Sequence, residues 1–88
     1  MIHANKARLA TEERRQESFE KLWPGIALKL REMTLDAINN EQYSIKYKPT
    51  ADECFYLTEL IERLREYNYD LTFVALNRSI VISWEKVL

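Results

Sequence analysis

An apolar stripe runs through Phe19, Leu22, Trp23, Ile26, Leu30, Met33, Ala37 and Ile38, and it constrains the fold more than any other feature of the chain. Its steps of three and four residues are those of one face of an α-helix. The stripe keeps phase across Pro24-Gly25, where a loop would normally reset it. Residues Ala4 to Asn39 are dominated by Ala, Leu, Glu, Lys, Arg and Gln, all good helix formers. The segment reads as one long helix, kinked or briefly broken at Pro24. A helix ending at Trp23, followed by a second with Pro24 as its first residue, is the alternative. Thr11-Glu12-Glu13-Arg14 also offers an N-cap followed by acids, where a fresh helix can start. Asn39-Asn40 marks the end, because Asn tolerates the left-handed conformation.

The rest of the chain changes period. Over residues 42–48, Tyr43, Ile45 and Tyr47 point one way and Ser44, Lys46 and Lys48 the other, the pattern of a half-buried strand stopped by Pro49. Thr50-Ala51-Asp52-Glu53 is a capping box. The helix it opens carries Cys54, Leu57, Leu60, Ile61, Leu64 and Tyr67 on one face and ends at Asn68, a stand-in for the usual glycine. Residues 71–76 and 79–84 read as two strands around Asn77-Arg78, with Asn77 suited to positive φ; Arg78 is a poor second residue for a two-residue turn, which leaves room for a longer loop.

The order is α-β-α-β-β, an α+β fold. The first strand, second helix and second strand make a right-handed crossover, and the third strand returns antiparallel. Slotted between the other two, it gives a three-stranded antiparallel sheet of order 1-3-2. Ile80-Val81-Ile82 is apolar on both faces, as a central strand requires. Lys46 and Lys48 suit an edge. Both helices are expected on one face, over Tyr43, Ile45, Tyr47, Leu71, Phe73, Ile80, Ile82 and Trp84. One domain spans residues 1–88, with residues 1–10 frayed or extended.

Composition narrows the chemistry. With one histidine (His3), one cysteine (Cys54) and one glycine (Gly25), the chain is poor in the residues that build metal sites, nucleophile triads and phosphate-cradling loops. No enzyme activity, cofactor or metal is expected. Cys54 reads as a small apolar side chain. The acids Asp52 and Glu53 are accounted for by the capping box. A net charge of −1 exerts no global pull on nucleic acid or anionic membrane. A lone cysteine fits a reducing cytoplasm, and the N-terminus lacks the apolar run of a signal peptide or membrane span.

Two surface readings remain. The sheet face away from the helices presents Val74 and Val81, with Leu76 nearby. This apolar strip is a candidate contact surface for a second copy or another protein, and an ordinary solvated face is the plainer reading. Trp23 is a candidate hot spot at the helix break, or a core anchor. Lys46, Lys48 and Arg78 form a local basic patch, the basis of an alternative reading as a small nucleic-acid-binding regulator. The tyrosines fall on the opposite face, so that patch lacks a stacking platform. The charges of the first helix (Arg8, Arg14, Arg15, Lys21, Lys29 and Arg31 among Glu12, Glu13, Glu17, Glu20 and Glu32) read as a solvated face with a Glu17–Lys21 pair, or as a helix protruding toward a partner. The apolar stripe is too irregular for sustained heptads.

Ala4-Asn5-Lys6-Ala7-Arg8, Tyr67-Asn68-Tyr69 and the closing Ile82-Ser83-Trp84 resemble a loose group of small bacteriophage accessory proteins. These open on an Ala/Lys/Arg-rich helix and close on an Ile-Ser-Trp strand. The chain departs from them at Asn68, where they often carry glycine. The resemblance implies origin more than activity: a phage protein in the bacterial cytoplasm that binds a host or phage protein. No catalytic residue carries over from it.

Overall fold

In the computed structural model, which describes residues 1–85, a single helix of 36 residues, α1 (Ala4–Asn39), forms the spine. It is followed by β1 (Ser44–Tyr47), α2 (Ala51–Phe55), α3 (Leu57–Glu66), β2 (Asp70–Val74) and β3 (Ser79–Ser83). The strands form one antiparallel sheet of order β1-β3-β2, as the sequence predicts.

α1 passes through Pro24 without a break. Proline removes the N–H that the Glu20 carbonyl would accept, but both residues are exposed, so water can take its place. The helix begins earlier than Thr11, at Ala4: His3 is the N-cap, its Nδ1 accepting the Asn5 N–H at 3.3 Å. Thr11 lies inside the helix, and its hydroxyl donates back to the Ala7 carbonyl at 2.8 Å. The C-terminus is a Schellman motif, with Glu41 N–H on the Ile38 carbonyl (3.0 Å) and Gln42 N–H on the Ala37 carbonyl (2.8 Å). The left-handed residue is Glu41 (φ 60°), not an asparagine. The helix runs on through Asn39, which makes Asn40 the C-cap; its side-chain amide donates to the Asp36 carbonyl at 2.9 Å.

The second helix forms as two pieces. Thr50 and Glu53 make the expected capping box, but the chain breaks at Tyr56 (φ −108°, ψ 30°). Arg15 of α1 is the physical reason: its Nη2 donates to the Phe55 carbonyl at 2.6 Å, competing for an acceptor that a continuous helix would use. Asn68 (φ 64°) ends α3 in the left-handed conformation, as read from sequence. The hairpin between β2 and β3 is longer than two residues. Its positive φ falls on Arg78 (51°), while the Asn77 amide turns to Ser79 Oγ, 2.6 Å away.

The core lies between the helices and one sheet face. Phe19, Ile26, Leu30 and Ala37 of α1 and Leu60 and Leu64 of α3 pack on Ile45, Tyr47, Ile80 and Ile82. Four residues assigned to the apolar faces are exposed: Ile38 of α1 and Tyr67 at the end of α3, and two on the sheet. Tyr43 precedes β1 and is 59% exposed; Phe73, on the β2 edge opposite Ile80, is 48% exposed. Both lie where the helix layer no longer covers the sheet. Among the described residues no helix is long and apolar enough to cross a membrane.

Candidate functional site

Three ion pairs hold α1 to the rest of the chain, and they separate working charges from free ones. Arg15 Nε and Nη2 donate to the Glu59 carboxylate at 2.7 and 3.1 Å, with the guanidinium 4.8 Å from the Phe55 ring centroid. The Arg15 hydrogen bonds outweigh burial and hold Glu59 below the ordinary carboxylate range. Arg63 of α3 donates to Glu20 and lies 5.0 Å from the Trp23 ring centroid. Lys29 donates to Glu53 at 3.2 Å. So Arg15, Glu20 and Lys29 tie α1 to the rest of the chain; Glu20 and Lys29 are exposed, as a solvated face requires, and Arg15 is half-buried.

Glu53 is the one buried acid among the described residues, and its surroundings explain it. The Tyr47 hydroxyl, Lys29 and the Thr50 N–H all donate to its carboxylate. Burial alone would raise its pKa; those hydrogen bonds overcome burial and lower it. The Tyr47 hydroxyl moves the other way, raised by burial and by its bond to Glu53. Every oxygen is engaged, which marks a structural cap rather than a poised acid or base. No group of three or more His, Cys, Asp or Glu side chains that could hold a metal occurs among the described residues. Cys54 is half-buried, with Sγ 3.9 Å from the Pro49 carbonyl.

The outer sheet face carries the polar residues that the alternation implies, and Ser79 on it is buried. Its cross-strand rows are Ser44–Ser83–Asp70 and Lys46–Val81–Thr72, followed by Ser79 beside Val74. Val74 and Val81 are half-buried and Leu76 is 97% exposed in the hairpin turn, so the three do not merge into one apolar strip. The basic candidates are exposed. Lys46 Nζ donates to the Asn77 side-chain oxygen at 2.9 Å, bringing it to the turn that carries Arg78. Trp23 is half-buried and stacks on Tyr67, with ring centroids 6.2 Å apart. With Leu30, Leu35, Leu64 and Tyr69 it lines a groove of about 260 Å³ between α1 and α3.

α1 itself carries a long exposed surface. Every residue from Met1 to Arg14 is exposed. Arg15 hydrogen-bonds to Glu59 and Phe55, and Phe19 is the first buried residue of α1. Farther along, Leu28 is 58% exposed, Ile38 52% and Leu35, at the edge of that groove, 49%. Sequence reading passed over the two leucines because they sit half a turn off the core stripe. Their spacing of seven residues was the available signal. Comparison with protein-family models, curated proteins and solved structures returns no match to this chain.

Proposed function

We infer that this chain is a non-enzymatic phage accessory protein that acts by protein–protein contact, with α1 as its contact element. The observation that supports this best is the fully exposed first third of α1. A molecule 56 Å long and 25 Å across spends its length on that helix. The eleven helical residues Ala4–Arg14, about 16 Å at the usual rise, are all exposed. A projecting helix with alanine, leucine and charge on its surface suits a groove or helix on another chain. The phage origin rests on the resemblance of the three short motifs described above.

The test is to break the arm without touching the body. Leu9→Pro interrupts the helix ahead of the first core contact. It is expected to leave the thermal midpoint within a few degrees while abolishing self-association by light scattering or co-purification of a host or phage protein. Unchanged solution mass and unchanged co-purification would defeat the reading. Steeply salt-dependent binding to nucleic-acid probes, lost on neutralising Lys46, Lys48 and Arg78, would replace it with the basic-patch alternative.

A further inference from the structure

α1 carries a second stripe, distinct from the one that builds the core. Ala10, Arg14, Glu17, Lys21, Pro24 and Leu28 follow each other at alternating steps of four and three, and Arg31 and Leu35 continue the series. Every one of these residues is exposed. They centre on the side of α1 opposite Phe19, Ile26, Leu30 and Ala37, with Ala10, Arg14 and Lys21 bordering Phe55 and Tyr56 on one flank and Arg31 and Leu35 bordering the groove beside Leu30 on the other. Alternating three and four is the spacing of a seam between two supercoiled helices. The seam carries Ala10, Leu28 and Leu35 as its apolar positions, with Arg14, Glu17, Lys21 and Arg31 among them.

Its charges are also unspent. The ion pairs of α1 to the body use Arg15, Glu20 and Lys29. Among the described residues, Arg14, Glu17, Lys21, Arg31 and Glu32 enter no ion pair, and the expected Glu17–Lys21 pair within the helix is not formed.

We propose that the seam's occupant is the α1 seam of a second copy, lying antiparallel. This rests on the reading of α1 as a contact element and names what it contacts. Complementarity fixes the direction and register. A parallel pair would stack Arg14 on Arg14, Glu17 on Glu17 and Lys21 on Lys21. An antiparallel pair with its dyad beside position 19 sets Glu17 opposite Lys21 of the second copy, twice. The same register sets Ala10 opposite Leu28, small against large. Sliding by one heptad toward the C-terminus would set Arg14 against Arg31. The dyad also suits the shape of the molecule. Each body hangs on the core side of its own helix, away from the seam, so the two bodies sit on opposite flanks. Each exposed arm then lies along the exposed Leu28–Leu35 stretch of the other copy. The sequence evidence for this seam is independent of the core stripe, because the two occupy opposite faces of one helix.

The experiment is sedimentation equilibrium over a concentration series on the full chain and three variants, with circular dichroism confirming the fold of each. Glu17→Lys and Lys21→Glu each replace two attractive pairs by two repulsive ones and are expected to weaken the dimer roughly tenfold. The double exchange of both residues is expected to restore it. Direction is read by oxidation in a Cys54→Ser background. Ala10→Cys mixed with Leu28→Cys gives a linked dimer if the helices are antiparallel, whereas Ala10→Cys alone links only if they are parallel. A monomeric wild-type chain, or single variants that dimerise as well as wild type, overturns the proposal. If the chain is monomeric and Leu9→Pro still loses a host or phage protein, self-pairing fails while the contact reading of α1 survives. If Leu9→Pro loses nothing, both fall.

Discussion

The two parts of α1 are written in much the same alphabet and meet different fates. Residues 4–14 and 15–39 are both rich in Ala, Leu, Glu, Lys and Arg. The first part is exposed throughout; the second buries Phe19, Ile26, Leu30 and Ala37 and anchors three ion pairs. Helix propensity alone does not separate them. What does is the apolar side chain at every third or fourth position, which starts at Phe19. Helix formation is continuous across the boundary because propagation onto an existing helix is cheap, whereas an isolated helix of eleven residues is marginal in water. The arm is thus helical on loan from the body, which leaves its surface free for contact.

The sharpest break of this contrast is a pair of truncations ten residues apart. Phe19→Ala is expected to cost about 3–5 kcal/mol in a denaturant titration, since the side chain is 1% exposed among Trp23, Arg63 and the sheet. Leu9→Ala in monomeric protein is expected to cost no more than about 0.5 kcal/mol. Comparable losses at both positions would show that the arm is packed.

A smaller effect tests the polar anchor of the body. Glu53→Ala leaves the buried Tyr47 hydroxyl without its acceptor and removes half of the capping box, for about 2–3 kcal/mol. Its pH signature has a definite sign. Glu53 and Glu59 have lowered pKa values in the folded chain, so their stabilisation is full above the ordinary carboxylate value of about 4.3 and is lost as pH falls through the folded values. Acid unfolding of Glu53→Gln is expected to be shallower than that of wild type over that range. Tyr47, raised, contributes below about pH 10 and stops contributing as pH rises beyond it, so Tyr47→Phe is expected to flatten the alkaline limb.

Gly25→Ala sharpens the comparison from the other side. Gly25 sits inside α1, is exposed, and an added Cβ meets nothing within 4 Å. The change is expected to stabilise by about 0.5–1 kcal/mol. Destabilisation would mean that something packs on α1 there. Smallest of all, Ala7→Gly is expected to reduce helical ellipticity while leaving the thermal midpoint within about two degrees, because the arm unfolds locally before the body does.

Much of the fold could be read in advance because its signals are local. The core stripe of α1, the Thr50–Glu53 capping box, the left-handed Asn68 and the doubly apolar Ile80-Val81-Ile82 each specify an element through residues a few positions apart. Crossover handedness then leaves few sheet orders. Some misses are local, as where the left-handed residue is Glu41 and not an asparagine, or Arg78 and not Asn77; others involve partners distant in sequence. Arg15 divides the second helix through a carbonyl forty residues away, and nothing near Tyr56 announces it. Tyr43 and Phe73 keep correct strand parity and still end half-exposed, because parity decides a face and only the helix layer decides which part of that face is covered. The candidate surface moved for a related reason. Alternation placed Val74, Leu76 and Val81 together, but the turn starts at residue 75 and carries Leu76 off the sheet.

The sequence by itself determined the periodicities: which segments are helix or strand, which side of each is apolar, and that the last strand is central. Those follow from backbone geometry and side-chain spacing within single elements. Only the tertiary structure decided which charges are consumed inside the chain and which stay free, since an ion pair between Arg15 and Glu59 or Arg63 and Glu20 exists only once two helices are brought side by side. The exposed seam of α1 is what remains after those pairings are made.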